Sequence, residues 1–130
     1  FMAPLSTQAV AILRELHPMT GHGRFVFRGR DRDQPISDNT LGKPLRTLKF
    51  TSAELTPHGL RKTASTILNE QGYNSDWIEA QLAHKLTGVR GIYNKAQYLQ
   101  DRTKMMQAWS DYLDGLKTSN NIVSIRRKAG

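Results

Sequence analysis

The sequence of 130 residues contains no cysteine. A chain without thiols has no disulfide framework and no thiolate-ligated zinc site, and it performs no thiol-based redox chemistry. It also lacks any run of about 18 consecutive apolar residues, the length that a membrane-spanning helix needs. Its opening segment FMAPLSTQAV has neither the basic leader nor the long apolar run of a secretion signal. We therefore expect a cytoplasmic protein with no membrane partner.

Acidic residues are scarce relative to basic ones. Eleven aspartates and glutamates stand against nineteen lysines and arginines, which gives a formal net charge of +8. Such an excess attracts anionic partners and favours nucleic acid, although a basic domain whose charge serves only solubility is the alternative. The length and a hydrophobic content of 38% predict one compact domain. Because the first residue is Phe1 and not methionine, we expect a piece of a longer protein.

The apolar residues recur mostly at helical spacing, so the predicted fold class is mainly α. Pro4 to Leu16 is predicted as a first helix with Ser6 as its N-cap, ending before Pro18. A brief strand is predicted over Phe25–Phe27, and a second helix from Ser37 or Asp38 through Leu48.

Two clearer helices follow, joined by a very short turn. In TPHGLRKTASTILNEQG, Thr56 can cap, Pro57 occupies the first helical position and Gly72 ends the helix, with a predicted buried stripe of Leu60, Ala64, Ile67 and Leu68. NSDWIEAQLAH is predicted as the next helix, capped by Asn74 or Ser75.

The last helix is predicted from Tyr98 to about Leu116, on an apolar stripe that includes Met105, Trp109 and Tyr112. The remaining residues are polar and include three consecutive basic residues. We therefore expect a domain over 1–116 and a flexible basic tail over 117–130.

Chemistry-bearing residues stand out at three places. His58 and Arg61 share one helix face, rotated by roughly a right angle from the apolar stripe, and His58 lies in the first turn, where an anion is favoured. A solvated helix face is the alternative interpretation of that pair. Tyr93 lies off the stripe of the helix that follows it, whereas Tyr98 and Tyr112 are interpreted as packing residues.

The order and spacing of these residues along the chain indicate a family more specifically than any one of them does. The His-x-x-Arg pair follows a proline-started helix, LAHK ends twenty-four residues after Arg61, and Tyr93 lies nine residues after His84. Together with APLSTQAVAILREL, GHGRFVF and YNKAQYLQDRTKMMQAWSDYL, this order resembles the tyrosine recombinases, the phage integrase family, in the branch carried by satellite phages, prophages and genomic islands. The resemblance covers nearly the whole chain and implies the helical C-terminal portion of a recombinase catalytic domain.

The resemblance implies an enzyme that cuts and rejoins DNA through a 3′-phosphotyrosyl intermediate, for the integration or excision of mobile DNA. It makes Tyr93 the nucleophile, Arg61 the ligand of the non-bridging phosphate oxygens, His58 the acid–base residue and His84 a hydrogen-bonding partner of the scissile phosphate. No metal or other cofactor is needed, since arginine and histidine supply the electrophilic assistance. The basic residues expected to contact the DNA backbone are Lys62, Lys85, Arg90 and Lys95.

The implied partners are double-stranded DNA with its attachment sites and other recombinase subunits in a synaptic complex, in a bacterial cytoplasm. The family's first catalytic arginine and its β-hairpin lysine have no counterpart in this sequence, so we expect the isolated chain to bind DNA weakly and to cleave it poorly or not at all. Two other function classes stay open: a non-catalytic DNA-binding module and a subunit-assembly module.

Overall fold

The chain is described by a computed structural model over residues 1–31, 33–84 and 98–118. Within these ranges it forms helices and no strand, which confirms the mainly α fold class. The helices are α1 (Thr7–Thr20), α2 (Gly42–Thr47), α3 (Pro57–Glu70), α4 (Ser75–Gln81) and α5 (Leu99–Thr118), and a 3-10 turn, Asp38–Leu41, leads into α2. Among the described helices, none combines the length and apolarity of a membrane span.

Side-chain oxygens cap three of the helices, as the sequence predicted. The caps are Ser6 on α1, Thr56 on α3 and Asn74 on α4, and they accept hydrogen bonds from the backbone N–H groups of residues 9, 59 and 76 at 3.2, 2.9 and 2.8 Å. Each cap satisfies one N–H group that has no partner inside the helix. The starts of α1, α3 and α4 are therefore fixed by local sequence.

The end of α1 was predicted wrongly. We expected Pro18 to stop the helix, but α1 continues through it to Thr20. Pro18 has no N–H group to donate to the carbonyl of Arg14, but the residues after it keep the helical conformation for about half a turn more. The backbone N–H of Gly21 then donates to the carbonyl of His17 at 2.7 Å and closes the helix.

The predicted strand at 25–27 is also not formed. Instead, Arg28 and Pro35 form an isolated antiparallel bridge, next to which the N–H of Ile36 donates to the carbonyl of Phe27 at 3.1 Å. Proline has no N–H group to extend a ladder, so the pairing stays at one bridge. The predicted helix from residue 37 or 38 is present as the 3-10 turn followed by α2.

The core lies where α3, α4 and α5 meet. Its buried members are Leu68, Ile78 and Met105, one from each helix. Burying a side chain of this size contributes about 1.5–3 kcal/mol. The partly buried residues packed around them are Tyr73, Trp77, Leu82, Met106 and Trp109.

The apolar stripes of α3 and α5 are longer than the area that their neighbours cover. Leu60, predicted as buried, is 50% exposed at the start of α3, and Leu116 is 48% exposed near the end of α5. The buried apolar residues lie near the end of α3, at Leu68, and in the first half of α5, at Met105. α5 also includes Lys117 and Thr118, two residues that we had assigned to the tail, and residues 119–130 lie outside the described ranges.

The start of α1 is held against the middle of α5 by polar contacts. The hydroxyl of Ser110 lies 2.6 Å from that of Ser6, and the N–H of Thr7 donates to the side-chain oxygen of Gln107 at 2.9 Å. The side-chain amide of Gln8 donates to Asp111 at 2.7 Å. These contacts join segments about 100 residues apart in sequence.

Candidate active site

The first turn of α3 presents His58 and Arg61. Thr56 caps the helix and Pro57 sets its first residue, so the position of both side chains on the helix surface is fixed by sequence. Both residues are exposed, whereas Leu68 of the same helix is buried. His58 and Arg61 therefore lie at the surface of α3 and not in the core.

Arg61 contacts the end of α4. Its Nη2 donates a hydrogen bond to the backbone carbonyl of Leu82, the residue that caps α4. His84 follows two residues later. The structure thus brings Arg61 of α3 to the turn that carries His84, although the two residues are twenty-three positions apart in sequence.

The turn that carries His84 closes α4 by two characteristic backbone hydrogen bonds. The N–H of His84 donates to the carbonyl of Glu79 at 3.1 Å, and the N–H of Ala83 donates to that of Ala80 at 3.2 Å. This pattern is a Schellman motif, in which the residue after the cap takes a left-handed conformation and is usually glycine. Here Ala83 takes it, with φ 54°. We had predicted that the helix itself continues to His84, but it ends at Gln81.

The imidazole of His84 is oriented by an acidic neighbour. Nδ1 of His84 lies 2.6 Å from a carboxylate oxygen of Glu79. Because Nδ1 is occupied, Nε2 is the ring nitrogen left to contact a ligand. The side chain of His84 is 52% exposed, so solvent and ligands reach it.

Sequence reasoning missed Glu79, and the reason is geometric. The Glu79 and His84 side chains are five residues apart, and residues at that spacing do not share a face in a continuous helix. The contact exists because the Schellman turn redirects the chain after Gln81. The sequence showed only a carboxylate five residues before a histidine, and that spacing alone does not indicate a contact.

A second missed residue is Arg102 in the first turn of α5. It is only 4% exposed, and both its Nε and its Nη2 donate to the side-chain oxygen of Gln81, at 3.1 and 2.8 Å. Its Nη2 also donates to the carbonyl of Met2 at 3.0 Å. Burial lowers the pKa of the Arg102 guanidinium. The sequence did indicate that Arg102 would be buried, since it lies on the same apolar stripe as Tyr98 and Met105.

The other predicted residues are placed as follows. Lys62 is exposed on α3, next to Arg61. Among the described residues, no group of three or more histidines, aspartates and glutamates is arranged to hold a metal ion. The predicted site residues that lie outside the described ranges are Tyr93, Lys85, Arg90 and Lys95.

Known proteins resemble the chain over most of its length. A model of the phage integrase family matches residues 1–100. Prophage integrase IntZ of Escherichia coli K12 is 45% identical over 120 residues, which cover 92% of this chain and 30% of that protein. The integrase of Shigella phage Sf6 is 43% identical over 116 residues (87% and 30%), and that of Enterobacteria phage P4 is 37% identical over 118 residues (87% and 27%).

The chain therefore spans about 30% of the length of the curated relatives it matches. No solved structure matches it significantly.

Proposed function

Because the chain belongs to the phage integrase family, we propose that it forms the C-terminal part of the catalytic domain of a tyrosine-type, site-specific DNA recombinase. The intact protein would integrate and excise mobile DNA in a bacterial cell. Its substrates would be double-stranded attachment sites, which several recombinase subunits hold together during strand exchange.

The observation that supports the proposal best is the contact between Arg61 and the end of α4. Arg61 and His84 lie twenty-three residues apart in sequence, and the bond from Arg61 to Leu82 brings their segments together. An arginine and a histidine on adjoining segments are suited to a phosphate, because both donate hydrogen bonds to oxygen and the guanidinium carries a permanent positive charge. Exposure of His58, Arg61 and His84 leaves this group accessible to DNA.

We propose that the phenol oxygen of Tyr93 attacks the scissile phosphorus. A new bond forms between phosphorus and the tyrosine oxygen, and the bond from phosphorus to the 5′ oxygen breaks, which leaves a 3′-phosphotyrosine and a 5′-hydroxyl. The phenol loses one proton and the leaving oxygen gains one, so proton transfer is balanced over the step. Attack by a 5′-hydroxyl on the phosphotyrosine reverses the step and restores the DNA backbone.

The other three predicted site residues each have a chemical task in this scheme. Arg61 would bind the non-bridging oxygens, whose negative charge grows in the pentacoordinate transition state; a planar guanidinium can bind two of them at once. His58 would transfer the proton, since a tyrosine phenol ionises near pH 10 in water and needs an acceptor at neutral pH. His84 would donate from Nε2 to the phosphate, with its ring held by Glu79.

We propose that Lys62, Lys85, Arg90 and Lys95 bind backbone phosphates around this centre. Lys62 is exposed on the helix that carries His58 and Arg61, which supports its part of the proposal. If about six phosphates are contacted, the logarithm of the binding constant falls with the logarithm of salt concentration at a slope near −5.

We also propose that the end of α5 contacts another subunit. Leu113 and Leu116 are 39% and 48% exposed there, and apolar side chains grouped on a surface favour association. Replacing Leu113 and Leu116 by lysine should shift the intact protein toward monomer in sedimentation experiments at several concentrations. An unchanged concentration dependence would reject this contact.

The nucleophile is tested by Tyr93→Phe in the intact protein, with a nicked attachment-site duplex that traps the covalent intermediate. The wild type should accumulate a protein–DNA adduct, and Tyr93→Phe should form none while its DNA affinity stays within about twofold. Tyr112→Phe is the matched control, because it removes an exposed phenol and keeps the ring that stacks on Trp109. An adduct from Tyr93→Phe would show that Tyr93 is not the nucleophile. No adduct from the wild type would overturn the enzymatic proposal in favour of a DNA-binding module.

A further inference from the structure

Arg102 is a buried cation that the chemistry above does not use. The residue is 4% exposed and its guanidinium lies over the ring of Phe1, 5.3 Å from the centroid. Its hydrogen bonds go to two neutral oxygens, the side-chain oxygen of Gln81 and the backbone carbonyl of Met2. Within the described ranges it has no carboxylate partner. Desolvating a charge is costly, and an apolar side chain of the same volume usually stabilises a core at least as well. Core stability alone therefore does not account for an arginine here.

Gln81, which accepts the hydrogen bonds of Arg102, lies at the end of α4. Gln81 is the last residue of α4, and the next residue, Leu82, supplies the carbonyl that Arg61 binds. Two arginines thus hold the same helix end, Arg61 from α3 and Arg102 from α5. The turn that carries His84 begins at this end.

The contact between Arg102 and Gln81 also has a clear topological consequence. It joins the last turn of α4 to the first turn of α5 across 21 residues of sequence. Residues 85–97 connect those two turns, and Tyr93 is among them. A second contact also joins α4 to the start of α5: the phenol of Tyr98 lies 3.4 Å from a carboxylate oxygen of Asp76 on α4.

We propose that Arg102 is a positioning residue for phosphoryl transfer: by holding Gln81, it fixes the end of α4, with His84, against the helix that follows Tyr93. This inference rests on the proposed function. Arg102 itself is buried and touches no substrate, so its influence passes through the position of the α4 end. A displacement of about 1 Å in a catalytic group can cost about 10²-fold in rate.

The test compares variants of the intact protein on a nicked attachment-site duplex at saturating DNA. Arg102→Met keeps the side-chain volume and removes every donor, and Gln81→Met removes the acceptor. We expect either substitution to slow single-turnover adduct formation about 10- to 100-fold while the dissociation constant for DNA stays within about twofold. The double variant should be no slower than the slower single one, because both substitutions break the same contact.

Met105→Ala provides a matched control for stability. Met105 is fully buried on the same helix, three residues after Arg102, and belongs to the hydrophobic core. Rates are measured well below the melting temperature of each variant, where all are folded. If Met105→Ala slows adduct formation as much as Arg102→Met at an equal loss of melting temperature, Arg102 is merely structural and the proposal fails.

Amide hydrogen exchange gives a readout that is independent of activity. Arg102→Met should speed exchange at Leu82, Ala83 and His84, whose N–H groups close α4, more than exchange at the core residue Leu68. Uniform acceleration across α3 and α4 would contradict the proposal. Wild-type protein that forms no adduct would refute the proposed function instead, whereas an active wild type with unaffected Arg102 variants would refute only this inference.

Discussion

The guanidinium of Arg61 binds the backbone carbonyl of Leu82 and so joins α3 to the end of α4. A guanidinium has five N–H donors, and this bond uses one of them. The same side chain can therefore hold the helix end and bind a phosphate at the same time. Arg61 is in this respect both a structural contact and a candidate ligand of the transition state.

Substituting Arg61 tests that double role. Arg61→Lys keeps the charge but loses the planar pair of donors, so we expect adduct formation by the intact protein to fall about 10²- to 10³-fold. The neighbouring exposed residue provides the control: Lys62→Gln should weaken DNA binding and reduce the salt slope by about one, with little change in rate at saturating DNA. A lysine variant with wild-type rate would remove Arg61 from the proposed chemistry.

Glu79 should matter through His84. Its carboxylate lies 2.6 Å from Nδ1 and holds the ring, so Glu79→Gln weakens the contact and Glu79→Ala abolishes it. At metal-bound histidines, loss of an orienting partner typically costs about 10- to 100-fold, and we expect an effect at the lower end of that range here. We expect Glu79→Ala to slow single-turnover cleavage by about tenfold and Glu79→Gln by less. Equal rates for Glu79→Ala and wild type would show that the ring needs no such support.

Ala83 carries a conformational strain that substitution can reveal. Its left-handed backbone costs an L-residue about 1–2 kcal/mol. Glycine relieves the strain but loses more entropy on folding, so Ala83→Gly should change the free energy of unfolding by less than about 1 kcal/mol. Ala83→Val should lower it by more than about 1 kcal/mol, because a β-branched residue fits this region poorly. Urea denaturation measures both variants, and equal stability of valine and glycine would contradict the assigned turn.

The cap of α3 should contribute measurably to stability. Thr56 accepts a hydrogen bond from the N–H of Gly59 at 2.9 Å. Thr56→Ala should therefore lower the free energy of unfolding by about 0.5–2 kcal/mol, whereas Thr56→Ser keeps the hydroxyl and should lose little. If urea denaturation shows the same loss for serine and alanine, the hydroxyl does not provide the cap.

Acid should weaken the end of α5. A hydrogen bond from Lys117 at 2.8 Å, and a second one from Gln8, lower the pKa of the Asp114 carboxyl. A lowered pKa means that this pair stabilises the fold above the unfolded pKa of about 3.9 and loses that contribution as pH falls through the folded value. Wild type should lose stability more steeply than Asp114→Asn as pH falls from about 5. Carboxyl NMR should show the Asp114 midpoint rising in Lys117→Met; an unchanged midpoint would exclude the pair as its cause.

The features that the sequence predicted well are those that depend on neighbouring residues. Ser6, Thr56 and Asn74 cap because hydroxyl and amide oxygens reach N–H groups two or three residues ahead. The spacing of His58 and Arg61 likewise determines that they share a face. Both predictions depend only on residues two or three positions away in the sequence.

The features that it predicted poorly depend on distant contacts. The end of α4 is bound by Arg61 and Arg102, each 21 residues away from its acceptor, and LAH contains no glycine to mark a stop. The extent of burial along α5 is likewise set by where α4 crosses it. The contact between Glu79 and His84 depends on where α4 ends. It could not be predicted from the sequence, because distant residues determine that end.

The contacts between α1 and α5 have a consequence for the order of folding. Closing a chain of about 100 residues costs more entropy than closing the short turn between α3 and α4, so the α3–α4 hairpin should assemble early and α1 should dock late. The segment that docks last is also held by polar contacts of Ser6, Thr7 and Gln8, and it contributes no residue to the buried hydrophobic core that the described residues form. Thermal fluctuations should therefore release α1 before they open the core, and the amides of Ala9 and Val10 should exchange before that of Ile78.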